Sequence, residues 1–145
     1  MDSVILYTDG ACAGNPGPGG WCAILKCKGA KKILSGSALH TTNNRMELSA
    51  VLNGLKCLKR PCRVTVISDS KYVCDAVNKH WLDNWIKNNW INSSKKAVLN
   101  PDLWQELSEL LKTHQVTFEW VKGHNGHPEN EECDRIAVSE YQKYL

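Results

Sequence analysis

The chain is expected to fold as an α/β domain with a five-stranded mixed sheet flanked by helices. Three observations predict it. Strand-like runs fill the first forty residues with short Gly- and Pro-containing connections between them. The hydrophobic period then changes from two to 3.6 at TTNNRMELSAVLNGLKCLK. From there the pattern alternates between strand and helix, the signature of parallel additions to a sheet.

Each element follows from its residues. Residues 3–9, carrying Val4-Ile5-Leu6-Tyr7, read as a first strand that ends in Asp9. The eleven residues after Asp9 include five glycines and two prolines, which reads as a thin loop. GWCAILKCK (20–28) and residues 31–40 complete an antiparallel meander. In the following segment Leu48, Val51, Leu52, Leu55 and Leu58 recur at helical spacing, and Asn44 with Glu47 matches a capping box. RVTVISD (63–69) is a strand that again ends in Asp. KYVCDAVNK and WLDNWIKN are two short helices. Asn100-Pro101, an N-cap followed by proline at the first helical position, opens a helix to about 112. VTFEWV (116–121) is the fifth strand, KGHNGHPEN a polar loop, and 129–143 the last helix.

Composition bounds the rest. The 145 residues, 42% of them hydrophobic, suit a single domain spanning 1–145, with no internal repeat or linker. No apolar run is long enough to span a membrane, and no secretory leader is visible. Seven cysteines without a C-x-x-C favour neither a disulfide framework nor a zinc finger; reduced thiols in a cytoplasmic protein are expected. Residues 79–96, KHWLDNWIKNNWINSSKK, hold four lysines against one aspartate. The remaining 14 basic and 14 acidic residues cancel, so the net charge of +3 belongs to this one tryptophan-rich segment.

Chemistry is suggested by carboxylates. If the first and fourth strands lie side by side and parallel, Asp9 and Asp69 meet at their carboxyl ends, where open α/β sheets place ligands. Glu47, in the first turn of its helix, and Asp134, at the start of the last helix, could join them. Clustered carboxylates repel unless protonated or bridged by cations, and hard cations such as Mg²⁺ take oxygen ligands. Taken singly, the same acids also read as turn formers, helix caps and a solvated helix residue. The short strings that carry the acids, TDG, RMEL, SDS and ECD, contain no lysine, and His124 with His127 makes only a weak zinc pair. His40, His80 and His114 are taken as surface residues.

In order along the chain, YTDGACAGNPGPGGW, TTNNRMEL, SDSKYV and WVKGHNGHPENEECD resemble the signature blocks of type 1 ribonuclease H, from residue 4 to about 140. The resemblance implies a ribonuclease H-like fold and endonucleolytic hydrolysis of the RNA strand of RNA/DNA hybrids. It implies two Mg²⁺ ions, with Mn²⁺ an alternative, and 5′-phosphate and 3′-hydroxyl products. Asp9, Glu47, Asp69 and Asp134 occupy the positions of the metal-binding acids. His124 matches a mobile-loop histidine that assists catalysis or product release. Asn15, Asn43 and Asn44 match residues that touch the hybrid in its minor groove, where 2′-hydroxyls identify RNA. Residues 79–98 match a basic protrusion, or handle, that grips the DNA strand, with Trp81 and Trp85 on one helix face. Here Ile86, Asn88 and Asn89 dilute its usual lysine and arginine run, and Lys71 stands where Gln is common. Arg45 reads equally as a structural or a phosphate-facing residue. A monomer is expected. A non-catalytic hybrid-binding module is the rival reading, disfavoured because it has no reason to keep four mutually repelling acids; the groove residues disfavour a DNA nuclease.

Overall fold

The computed structural model describes residues 1–123 and 127–145. The elements are β1 (Asp2–Cys12), β2 (Gly17–Cys27), β3 (Ala30–Thr41), α1 (Asn43–Lys56), β4 (Cys62–Ser68), α2 (Lys71–Asn78), α3 (Trp81–Lys87), α4 (Pro101–Thr113), β5 (Gln115–Trp120) and α5 (Pro128–Gln142). The sheet runs β3-β2-β1-β4-β5. The first three strands form the expected antiparallel meander, while β4 and β5 add in parallel.

Most of the expected Gly/Pro loop is strand. β1 continues past Asp9 to Cys12, and β2 begins at Gly17, so Ala11 pairs with Gly20 and Cys12 with Gly19. The connection narrows to four residues, 13–16, with the Asn15–Pro16 peptide in cis. Gly20 is required by a close approach: a Cβ there would overlap the Ala137 carbonyl of α5.

Period-two alternation in β1 and β2 divides the interior into two layers. Val4, Leu6, Ala23 and Leu25 face α1, α2 and α4, burying Leu48, Val51, Leu55, Val73, Trp104 and Leu107. Tyr7, Cys22 and Ile24 face α5, against Cys133 and Ala137. Two local expectations are corrected. The N-cap of α1 is Thr42, whose hydroxyl accepts from the Arg45 amide at 3.3 Å, so no Asn44–Glu47 capping box forms. Glu47 falls in the second turn, where it is buried rather than available to cap. His114 is not a surface residue: it is 5% exposed, and its Nδ1 accepts from the Cys62 amide at 3.0 Å, joining the end of α4 to the start of β4. Among the described residues, no helix is long and apolar enough to cross a membrane.

Candidate active site at the carboxyl ends of the parallel strands

The parallel pairing of β1 with β4 ends at Tyr7 opposite Ile67. Asp9 and Asp69 each stand two residues beyond that last pair, so the two carboxylates arrive together where the strands part. Glu47 reaches them because α1 lies hard against β1. Gly10 makes this possible: a Cβ there would overlap the backbone of Met46 and Glu47 and drive the helix away. One ligand oxygen each from Asp9, Glu47 and Asp69 lies within 4.8 Å of the others. Asp134 stands outside this tight trio but lines the same open cavity, of about 470 Å³, with all three.

Burial sets the electrostatics. Asp9 is 7% and Glu47 4% exposed. Desolvation, then the charge of Asp69, pushes Asp9 up to about 7, with Asp134 adding to the rise. The Gly10 amide, donating to Asp9 Oδ1 at 2.9 Å, opposes the shift. Glu47 is raised well above the carboxylate range by burial first and by Asp9 and Asp69 next. The contact between Asp9 and Glu47 acts oppositely on the two, lowering Asp9 and raising Glu47. Glu47 Oε2 is buried without a hydrogen-bond partner. A converging set of hard oxygen donors, one of them orphaned, is the donor chemistry that suits Mg²⁺. The carboxylates therefore fit the metal that the sequence pattern implies.

Surrounding residues hold the acids in place, and several were not singled out by sequence reasoning. Cys133 Sγ donates to the Tyr7 carbonyl at 3.4 Å, docking the first turns of α5 and with them Asp134. Asn130 Nδ2 donates to the Ile67 carbonyl at 3.3 Å, closing the end of β4. Trp120 Nε1 donates to the Asp69 carbonyl at 2.9 Å. Asn130 lay in plain view within PENEECD, but its reach to β4 depends on the fold. Lysines from outside the acids' own short motifs also reach the site: Lys71 lines their cavity, and Lys122 a smaller recess shared by Asp9, Asp69 and Asp134.

Asn15 and Asn43 are brought together, Asn15 Oδ1 accepting from the Asn43 amide at 3.1 Å. Both are exposed, and Asn43 and Asn44 line the acid cavity. Arg45 resolves as structural: it forms a two-pronged pair with Asp102 at 2.8 and 3.1 Å and donates to Asn100 at 3.2 Å, tying α1 to α4. Trp81 and Trp85 share a surface groove but differ in burial. Trp81 is 39% exposed. Trp85 is half-buried, edge-on to the core Trp104 with ring centroids 5.5 Å apart. His127 precedes α5 at its N-cap without a side-chain capping bond, and His124 lies outside the described residues.

The strand order and helix placement define the ribonuclease H-like class of α/β folds. They match the crystal structure of LC9-RNase H1, a type 1 RNase H with the type 2 active-site motif, with a TM-score of 0.87 and 30% identity over 100% of this chain and 74% of that one. The chain belongs to the ribonuclease H family, whose family model, RNase H, matches residues 1–142. It is 59% identical to the ribonuclease H of Caldicellulosiruptor saccharolyticus over 139 residues, covering 96% of each chain. It is 57% identical to that of Hydrogenovibrio crunogenus over 137 residues, 94% of each.

Proposed function

We propose that this protein hydrolyses the RNA strand of RNA/DNA hybrids, leaving 5′-phosphate and 3′-hydroxyl ends. The observation that carries this reading is the convergence of Asp9, Glu47 and Asp69 within 4.8 Å, in a cavity also lined by Asp134, in a chain of the ribonuclease H family.

The four acids would hold two Mg²⁺ ions, with Mn²⁺ an alternative. Bound there, such cations supply Lewis-acid activation of the attacking water and charge stabilisation at the leaving 3′-oxygen. The protein's own part is arrangement. Asp9 and Glu47, both raised by burial, must lose their protons to act as ligands, so loading the site releases protons and weakens as pH falls. Gly10 keeps α1 close enough for Glu47 to reach, and Asn130 and Trp120 hold the end of β4. Asn15, Asn43 and Asn44, exposed beside the cavity, are suited to contact the hybrid's minor groove and its 2′-hydroxyls. The α3 segment, with Trp81 exposed on it, would take the DNA strand. His124 is assigned an auxiliary role in turnover on the KGHNGH pattern. Seven free cysteines accord with a reducing compartment, and we take the protein to act there as a monomer.

The test is cleavage of end-labelled RNA annealed to DNA, with Mg²⁺ or with EDTA, beside RNA/RNA and DNA/DNA duplexes. Cleavage of the hybrid alone, and only with the cation, is expected. Equal cleavage of either other duplex, or undiminished cleavage in EDTA, overturns the proposal.

A further inference from the structure

Lys71 opens α2 two residues after Asp69 and is exposed. Its Nζ lies 4.9 Å from the centroid of the Trp120 ring, within the range of a cation–π contact. Trp120 is in turn tied to the site, since its indole nitrogen donates to the Asp69 carbonyl at 2.9 Å. Among the described residues Lys71 enters no ion pair, although it lines a cavity with Asp9, Glu47, Asp69 and Asp134. An ammonium is thus held on an aromatic face at the rim of the acid cavity, and the same indole that carries it anchors the main chain of one of the acids.

Four carboxylates repel an approaching polyanion. A cation fixed beside them offsets that repulsion locally and offers a phosphate a partner before the acids are neutralised. We propose that Lys71, seated on Trp120, contacts a backbone phosphate of the bound hybrid and lets the hybrid dock at the acid cavity without metal; this rests on the nuclease reading above. Lys71 is then a substrate-binding residue, and Trp120 a positioning residue that acts through it.

The experiment is binding of a fluorescent RNA/DNA hybrid by anisotropy in EDTA across a salt series, with wild type, Lys71→Gln, Lys71→Arg, Trp120→Leu and the Gln/Leu double variant. One phosphate contact contributes about 0.7 to 0.9 to the slope of log affinity against log salt. Lys71→Gln should flatten the slope by about that amount, and Lys71→Arg should keep it. Trp120→Leu should give an intermediate slope, and the double variant should be no flatter than Lys71→Gln. Circular dichroism checks folding; Trp120 is 42% exposed, and should the Leu variant fail to fold, the Gln/Arg pair decides alone. A wild-type slope in Lys71→Gln overturns the proposal, as does a wild type that cleaves hybrid with Mg²⁺ yet shows no binding in EDTA. A wild type that neither binds nor cleaves hybrid overturns the nuclease reading and this contact with it.

Discussion

Asp9 carries more of this protein's character than any other residue. Its carboxyl is pushed from an ordinary value of 3.8 to about 7, burial contributing most and Asp69 next. The folded protein thus holds a proton that the unfolded chain releases at lower pH. That contribution to stability is complete below about pH 4 and is lost as pH rises through about 7. Asp9→Asn removes it together with the repulsion it reflects. The metal-free variant should melt at higher temperature than wild type at pH 8, and the gap should close toward pH 4. Thermal melts in EDTA at several pH values check this; a gap that does not change with pH contradicts the assignment. The wild-type minus variant difference is needed because His114 acts in the opposite sense. Burial holds its pKa low, so its contribution is present above about 6.5 and fades as pH falls. The same Asp9→Asn variant should not cleave hybrid. His124→Ala should slow turnover yet leave measurable cleavage, as an auxiliary group rather than a ligand would. Complete loss of cleavage with intact folding contradicts that role, and full speed removes it.

At the scale of the element, α3 and the residues after it show how one helix serves two purposes. Trp85 and Leu82 turn inward, Trp85 edge-on to Trp104, while Trp81, Ile86 and Lys87 remain exposed. Its positive charge is weaker than a count of lysines suggests. Lys79 lies 3.6 Å from Asp75, outside the segment, and 5.9 Å from the Trp81 ring. Trp85→Ala should therefore destabilise the fold by about 3 kcal/mol, near the low end for an aromatic core truncation because the side chain is only half-buried. Trp81→Ala should change stability by less than about 0.5 kcal/mol and instead raise KM. Urea melts with steady-state kinetics separate the two. Equal destabilisation by both variants would make the pair a packing stripe. Ile86→Lys with Asn88→Lys should lower KM, most at low salt, and leave kcat nearly unchanged, because no α3 residue is among those that line the acid cavity.

For the whole molecule, the acid cluster draws its side chains from four elements: β1, α1, the end of β4 and α5. Cations that bind only the folded arrangement should stabilise all of it by mass action, by about 2.7 kcal/mol at a hundredfold excess over Kd. Thermal stability should rise with Mg²⁺ in wild type and much less in Asp9→Asn. A melting temperature indifferent to Mg²⁺ in wild type would place the metal elsewhere or nowhere.

Much of this was legible in the chain itself. The element order, the switch of period at residue 41 and Asp69 at the end of β4 follow from local rules of alternation, helical spacing and turn residues, which act between near neighbours in sequence. The long motif strings pointed to the family for the same reason: their residue types and spacings are printed along the chain. What the chain could not disclose depended on partners far away in sequence. The glycines after Asp9 read as loop, yet most of them sit in two paired strands, and Gly20 is small because α5, over a hundred residues later, lies against it. Glu47 read both as a cap and as a candidate metal-binding acid; it is buried in the second turn and caps nothing, because Gly10 lets α1 settle onto β1. Arg45 stayed undecided until Asp102 stood opposite it. His114 read as surface, and Trp81 and Trp85 as equals, until the ends of α4, β4 and the Trp104 core distinguished them. Burial is a property of the assembled layers, and with it come the raised pKa values of Asp9 and Glu47 and the choice of which side chains meet solvent. Local sequence determines which element a residue joins; only the packing of one element on another determines what that residue faces.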